Sequence, residues 1–318
     1  MTTIEAPAAP APAPSGQLTG AAPPRSRLFF VRWFKNPWRK PRILEAITWI
    51  YLLWSLLPVA IAVLFSFNSG KSRSVWQGFS WRWYWKDPNL SVWHDPDLHT
   101  ALVHTLVLGV LTTVIAVPLG IAFALGLDRW RGRLPSFWNI QMLLSFVVPE
   151  IILGVSLFFV ATQLPIITPL QTGTWGQVIG LVTFQMSYPV IIVRARLITI
   201  GKQFEEAATD LGASALGALR RVLLPMLLPA IFASAVLVFA DVIDDFVIVR
   251  YLSSGTDTEP VAVKIYNTAR GAPTPALNAL ASLLLLASFG AIVLGYLGYR
   301  FLTRGEGKSS LGSFAGQL

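Results

Sequence analysis

The sequence predicts an all-α integral membrane protein with six transmembrane helices. The 318 residues are 54% hydrophobic and only 13% charged, with a mean hydropathy of +0.59. Soluble domains carry about 25% charged residues. The apolar residues also gather into runs long enough to cross about 30 Å of hydrocarbon, which takes roughly 20 helical residues. These runs fall at 43–67, 101–127, 138–162, 175–198, 229–252 and 276–302. Each is expected to be helical, because lipid offers no partner for backbone N–H and C=O groups. The short alternating segments of a β-barrel are absent from the sequence.

Residues 1–24 are rich in Ala and Pro and lack the apolar core of a leader, so they read as a disordered tail. Residues 25–42 set Arg25, Arg27, Arg32, Lys35, Arg39, Lys40 and Arg42 around Trp33 and Trp38, a pattern suited to an anionic lipid surface. The first run then reads as an uncleaved signal anchor. The expected organisation is a 1–42 tail and juxtamembrane segment, a 43–302 six-helix domain with a polar loop at about 200–228, and a 303–318 tail. Trp76, Trp81, Trp83, Trp85 and Trp93 crowd the 68–100 loop. Two readings stay open for them: rings at the membrane interface, or a surface that touches an extracytoplasmic binding protein. Pro118, Pro149 and Pro189 fall inside the runs and are expected to kink or unwind them.

Charge sets the expected orientation. Placing the N-terminus, the 128–135 loop, the 194–228 loop and the C-terminal end on one side collects 18 of the 25 Lys and Arg residues. By the positive-inside rule that side is cytoplasmic, termini included. The net charge of +9 follows from this topology. The basic residues are split among short loops and build no continuous nucleic-acid footprint. There are no cysteines. His94, His99 and His104 are five apart, which separates them around a helix and argues against a metal site. Gly70-Lys71-Ser72 and Gly307-Lys308-Ser309 look like P-loop ends, but Phe65 and Leu302 stand where the first glycine belongs. No cofactor is expected on this chain. If the protein moves solute with ATP, the ATPase that holds the ATP and its magnesium is another polypeptide.

Between the fourth and fifth runs lies Glu206-Ala207-Ala208-Thr209-Asp210-Leu211-Gly212, followed by Val222-Leu223-Leu224-Pro225. This polar, helix-forming insert resembles the Glu-Ala-Ala loop of bacterial ABC importer permeases, with Val222 standing where that pattern usually has Ile. The resemblance implies a type I importer permease fold and a coupling helix that docks on a cytoplasmic ATPase. Glu205, Glu206, Ala207, Ala208, Asp210, Leu211, Gly212 and Pro225 are the implied coupling residues.

Carboxylates inside apolar runs are the second signal, because each costs about 2.5–3.5 kcal/mol near the bilayer centre. Glu150 falls in the third run, and Asp241, Asp244 and Asp245 fall in the fifth. On one continuous helix the three aspartates would share a face. They either line a hydrated cation path or serve structure, at the interface or against Arg250. Catalysis by paired carboxylates lacks a nucleophile, a metal or a sugar shelf, so no catalytic residue is assigned.

The stretches 239–246, 260–266 and 278–281, with Phe67-Asn68-Ser69, Trp76-Gln77-Gly78-Phe79 and Pro149-Glu150-Ile151, resemble the second permease of spermidine/putrescine importers. Glu150 replaces the Asp usual there. The resemblance covers about 45–302. It implies a bacterial inner-membrane subunit, paired with a second homologous permease as a heterodimer, two ATPase subunits and an extracytoplasmic solute-binding protein. Another small organic cation, or another solute carried by the same class of importer, is an alternative cargo. A channel, a proton-coupled transporter or a membrane enzyme would have no use for an ATPase-docking loop.

Overall fold

The structure, a computed structural model, describes residues 42–72, 74–129, 137, 140, 144, 147–163, 172–271 and 274–302. The expected tails at 1–41 and 303–318, the 130–136 loop with Arg131 and Arg133, and most of 138–146 lie outside the described residues. Two compact units divide at Leu56 and Leu57. The first contributes the turns of α1 (Arg42–Ser66) up to Leu56, whose apolar side chains are exposed.

Among its described residues the second unit is mainly helical. It holds α2 (Pro96–Arg129), α3 (Glu150–Gln163), α4 (Thr174–Gln185), α5 (Ser187–Ile200) and α6 (Gln203–Asp210). There follow α7 (Ala215–Asp244, with a π-helical turn at Leu219–Leu223), α8 (Val247–Leu252), α9 (Val261–Arg270) and α10 (Ala276–Leu302). Among the described residues five helices are long and apolar enough to cross a membrane: α1, α2, α4 with α5, α7 and α10. Of the third run, residues 150–162 fall in α3, an apolar helix of 14 residues, residues 140, 144 and 147 are helical too, and most of the rest of its first half lies outside the described residues.

Two of the three proline expectations hold. The helix is interrupted at Val148 and Pro149 before α3, and at Met186 between α4 and α5, just ahead of Pro189. Pro118 sits inside an uninterrupted α2.

The fifth run differs more. Its helix starts at Ala215 rather than 229, so Pro225 and Pro229 lie inside it, and it stops at Asp244. Asp245 adopts an extended conformation (φ −59°, ψ 130°), and α8 starts anew two residues on. Asp side chains bind nearby backbone groups and compete with the helix ladder. Asp245 does so here, its Oδ1 accepting from Val249 N at 3.1 Å.

Helix α2 is the hub, packed against α4, α5 and α7. It approaches the α4/α5 break so closely that a Cβ on Gly120 would stand 2.9 Å from the Met186 carbonyl oxygen and 2.7 Å from Pro189. One apolar cluster joins Leu108, Leu181, Val242, Ile248 and Leu252 around the middle of the bundle. Another joins Leu127, Val193, Leu223 and Leu227 near α6. A third, with Trp83, Leu98 and Leu280, underlies the loop after α1. There Trp83 is fully buried and donates Nε1–H to Asn68 O at 2.6 Å, while Trp76, Trp81, Trp85 and Trp93 stay exposed.

Candidate functional site

Two regions carry polar chemistry, and the break between α7 and α8 builds the first. Glu150 opens α3 directly after the Pro149 interruption. Asp245 is buried in the α7–α8 junction, with its carboxyl within hydrogen-bond reach of Glu150. Asp241, one turn before the end of α7, accepts from Gln185 Nε2 at 2.7 Å. Gln185 is completely buried, and its Oε1 finds no hydrogen-bond partner among the described residues. Tyr188, at the start of α5, stands in the electrostatic field of both Asp241 and Glu150. Glu150, Asp241 and Asp245 therefore converge from three segments of the fold.

Asp244 does not join them. It is exposed and lines a separate, mostly apolar cavity of about 270 Å³ with Ala62, Val63, Ile265, Ser282 and Leu284. The single acidic face expected for Asp241, Asp244 and Asp245 is thus corrected. The helix ends between the last two, so only Asp241 and Asp244 keep the i, i+3 relation, while Asp245 leaves the helix and turns towards Glu150. Among the described residues the ion pairs are Arg82–Asp87, Arg129–Glu205, Lys264–Asp97 and Lys264–Glu259, and none joins Arg250 to these carboxyls.

Sequence reasoning missed the clamp behind this site. The Gln177 side chain, fully buried on α4, donates from Nε2 to Val249 O at 3.1 Å and to Thr258 O at 2.9 Å. Carbonyls only accept, so Oε1 must face His104 Nε2, 2.8 Å away, and that ring nitrogen carries the proton. Gln177 thereby ties α2, α4, α8 and the Thr256–Thr258 turn together. It holds the same residue, Val249, whose N–H caps onto Asp245. A glutamine inside an apolar run was the available signal. His94 and His99 take other roles: His94 Nδ1 pairs with Ser91 Oγ at 2.9 Å, and the His99 ring meets Trp93 edge to face.

The second region is α6. Glu205 and Glu206 fall in its first turn, where carboxylates complement the helix dipole. Leu211 N–H reaches Ala207 O (3.2 Å), Gly212 N–H reaches Thr209 O (2.8 Å) and Ala213 N–H reaches Ala208 O (3.0 Å). The last two form a Schellman stop. Gly212 supplies its left-handed residue at φ +86°. No α6 residue is buried, and Leu211, just past its end, is 90% exposed. Such a helix, with acidic and apolar groups both facing solvent, suits a protein surface. Pro225 stands well beyond it, near the start of the α-helical stretch Leu224–Asp244.

A helical bundle with a carboxyl cluster among its apolar spans and a bare surface helix beside them fits a membrane transport subunit. The chain belongs to the family of binding-protein-dependent transport system inner membrane components, whose model matches residues 116–308. It is therefore an ABC permease subunit, multi-pass in the inner membrane, and not an enzyme. It is 32% identical over 251 residues to the spermidine/putrescine transport system permease protein PotC of Shigella flexneri, covering 79% of this chain and 91% of that one. It is also 32% identical over 277 residues to the putrescine transport system permease protein PotI of Escherichia coli strain K12, covering 86% and 93%. Among solved structures, a bacterial ABC transporter that imports alginate shares the fold at a TM-score of 0.65 and 15% identity, over 82% of this chain and 96% of that one. The MetNI methionine ABC transporter matches at a TM-score of 0.53 and 20% identity, over 64% and 94%.

Proposed function

We propose that this permease moves polyamines, spermidine and putrescine among them, as one half of the translocation path of an ATP-driven importer. The observation that carries the reading is the convergence of Glu150, Asp241 and Asp245 among apolar helices of a chain similar to polyamine permeases. A di- or tri-cation crossing a region of low dielectric needs anionic partners in sequence. Asp244, in its own cavity, offers a further one.

In this reading both termini and α6 face the cytoplasm, and the loop after α1 faces outward, as the distribution of Lys and Arg supports. A second homologous permease completes the path, two ATPase subunits hold ATP and magnesium, and a solute-binding protein delivers cargo. Glu206, exposed at the start of α6, is free to meet a basic groove on the ATPase, and Leu211 adds an apolar contact.

Uptake of radiolabelled putrescine and spermidine tests the cargo, in cells lacking this chain and complemented with it. Saturable uptake restored by the chain and blocked by excess unlabelled polyamine is expected. Restored uptake of another organic cation, with none of either polyamine, would reassign the cargo within the same importer class.

A further inference from the structure

We propose that Arg129 is a positioning residue for transport: its ion pair with Glu205 is a strut that carries the movement of α6 directly to the hub helix α2. The inference rests on α6 being the ATPase-docking helix.

Helix α6 is poorly fixed by anything else described. None of its residues is buried. It packs against the segment that follows it, the first turn of α7 and the π-helical turn Leu219–Leu223. Its two chain connections run through Gly201 (φ +73°) and Gly212 (φ +86°), the left-handed glycines that let the backbone reverse. Between α6 and the ends of α2 and α5 lies a cavity of about 500 Å³, lined by Asp128, Arg129, Leu197, Lys202, Glu205 and Leu223. Arg129, the last described residue of α2, spans that gap. Its Nη2 lies 3.0 Å from both Oε1 and Oε2 of Glu205, linking positions 76 apart in sequence.

The two adjacent carboxylates of α6 thus divide their work. Glu205 turns inward to Arg129, and Glu206 stays exposed for a partner. The end connections of α6 and its packing on the start of α7 all involve the chain that flanks it. Arg129 supplies a tie to a separate helix, and α2, packed against α4, α5 and α7, passes the displacement on. An ion pair this exposed adds little to folding stability. Its two-oxygen contact orients the helix all the same.

The test uses the whole reconstituted transporter and measures how far the loaded binding protein stimulates ATP hydrolysis. Arg129→Ala should lower that stimulation at least about fivefold, equivalent to the loss of one oriented contact of about 1 kcal/mol. The charge swap Arg129→Glu with Glu205→Arg should restore at least half of it. Arg129→Cys with Glu205→Cys, bridged by a short bis-maleimide in this cysteine-free chain, should keep stimulation near the wild-type level, because the strut stays closed through the cycle. Normal stimulation in Arg129→Ala, or its loss on bridging, overturns the strut. Glu206→Lys separates the underlying reading. Normal coupling in that variant removes the docking assignment and this inference with it, whereas an uncoupled Glu206→Lys beside a normal Arg129→Ala removes the strut alone.

Discussion

Replacing Gln177 by Met keeps the length and the apolar fit of the side chain but removes three hydrogen bonds, of 2.8, 3.1 and 2.9 Å. Thr258 O keeps the Ser253 hydroxyl at 3.1 Å, so the groups left without this partner are the His104 ring N–H and Val249 O. Each orphaned buried group costs about 1–3 kcal/mol, so the variant should lose roughly 2–6 kcal/mol. At about 2–4 °C per kcal/mol for a large chain, the Tm should fall by roughly 4–24 °C. Thermal unfolding of the detergent-purified protein, followed by tryptophan fluorescence, measures it. His104→Leu breaks only one of the bonds and leaves Gln177 Oε1 unpaired, for about 1–3 kcal/mol. In the Gln177→Met background the same change should cost much less, because the partner is already gone. A Gln177→Met protein that melts within 2 °C (roughly 1 kcal/mol) of wild type, or strict additivity of the two changes, refutes the clamp.

The other expectations concern coupling, cargo, topology and acid stability. Glu206→Lys should reach the membrane in normal amount yet abolish uptake while ATP hydrolysis persists. Gly212→Ala should weaken coupling through the backbone alone, since a Cβ there meets nothing within 4 Å, while the left-handed conformation costs about 1–2 kcal/mol; normal uptake would show that the Schellman stop is dispensable. Glu150→Gln, Asp241→Asn and Asp245→Asn should each reduce polyamine uptake at unchanged membrane levels, and normal uptake by all three would assign the cluster to structure. A cysteine at Val75, which is 58% exposed, should react with an impermeant thiol reagent in intact cells, and one at Ala207 should react only after permeabilisation; the reverse pattern inverts the topology. At Asp87 desolvation pushes the carboxyl pKa up, but the Arg82 hydrogen bond and the Asn89 and Leu90 amides outweigh it and hold it below the usual 3.8. A depressed folded-state pKa gives stability that is complete above the unfolded value and lost as pH falls through the folded one. Melting at pH 7 and pH 3 should therefore differ less for Asp87→Asn than for wild type, and equal differences would exclude this contribution.

Much of this protein is legible along the chain alone. Apolar runs mark spans because lipid leaves a backbone no alternative to helix, and the last run and α10 coincide at 276–302. The insert at 203–210 is a helix because its residues favour one, with carboxylates at its start and a glycine able to take positive φ at its stop. All of these are short-range causes, contained within one or two turns. Where a helix ends against competing local bonds, and which groups then meet, is settled by neighbours far away in sequence. The run at 229–252 reads as one span despite its three aspartates, because which of them leaves the helix depends on what it meets, and Asp245 gains by capping Val249 what the helix ladder loses. Gln177, Gln185 and Arg129 were ordinary polar residues until packing placed them 73, 56 and 76 positions away from their respective partners His104, Asp241 and Glu205. Polar groups in a bundle are satisfied by whatever lies across the helix interface, and only the tertiary structure decides what that is.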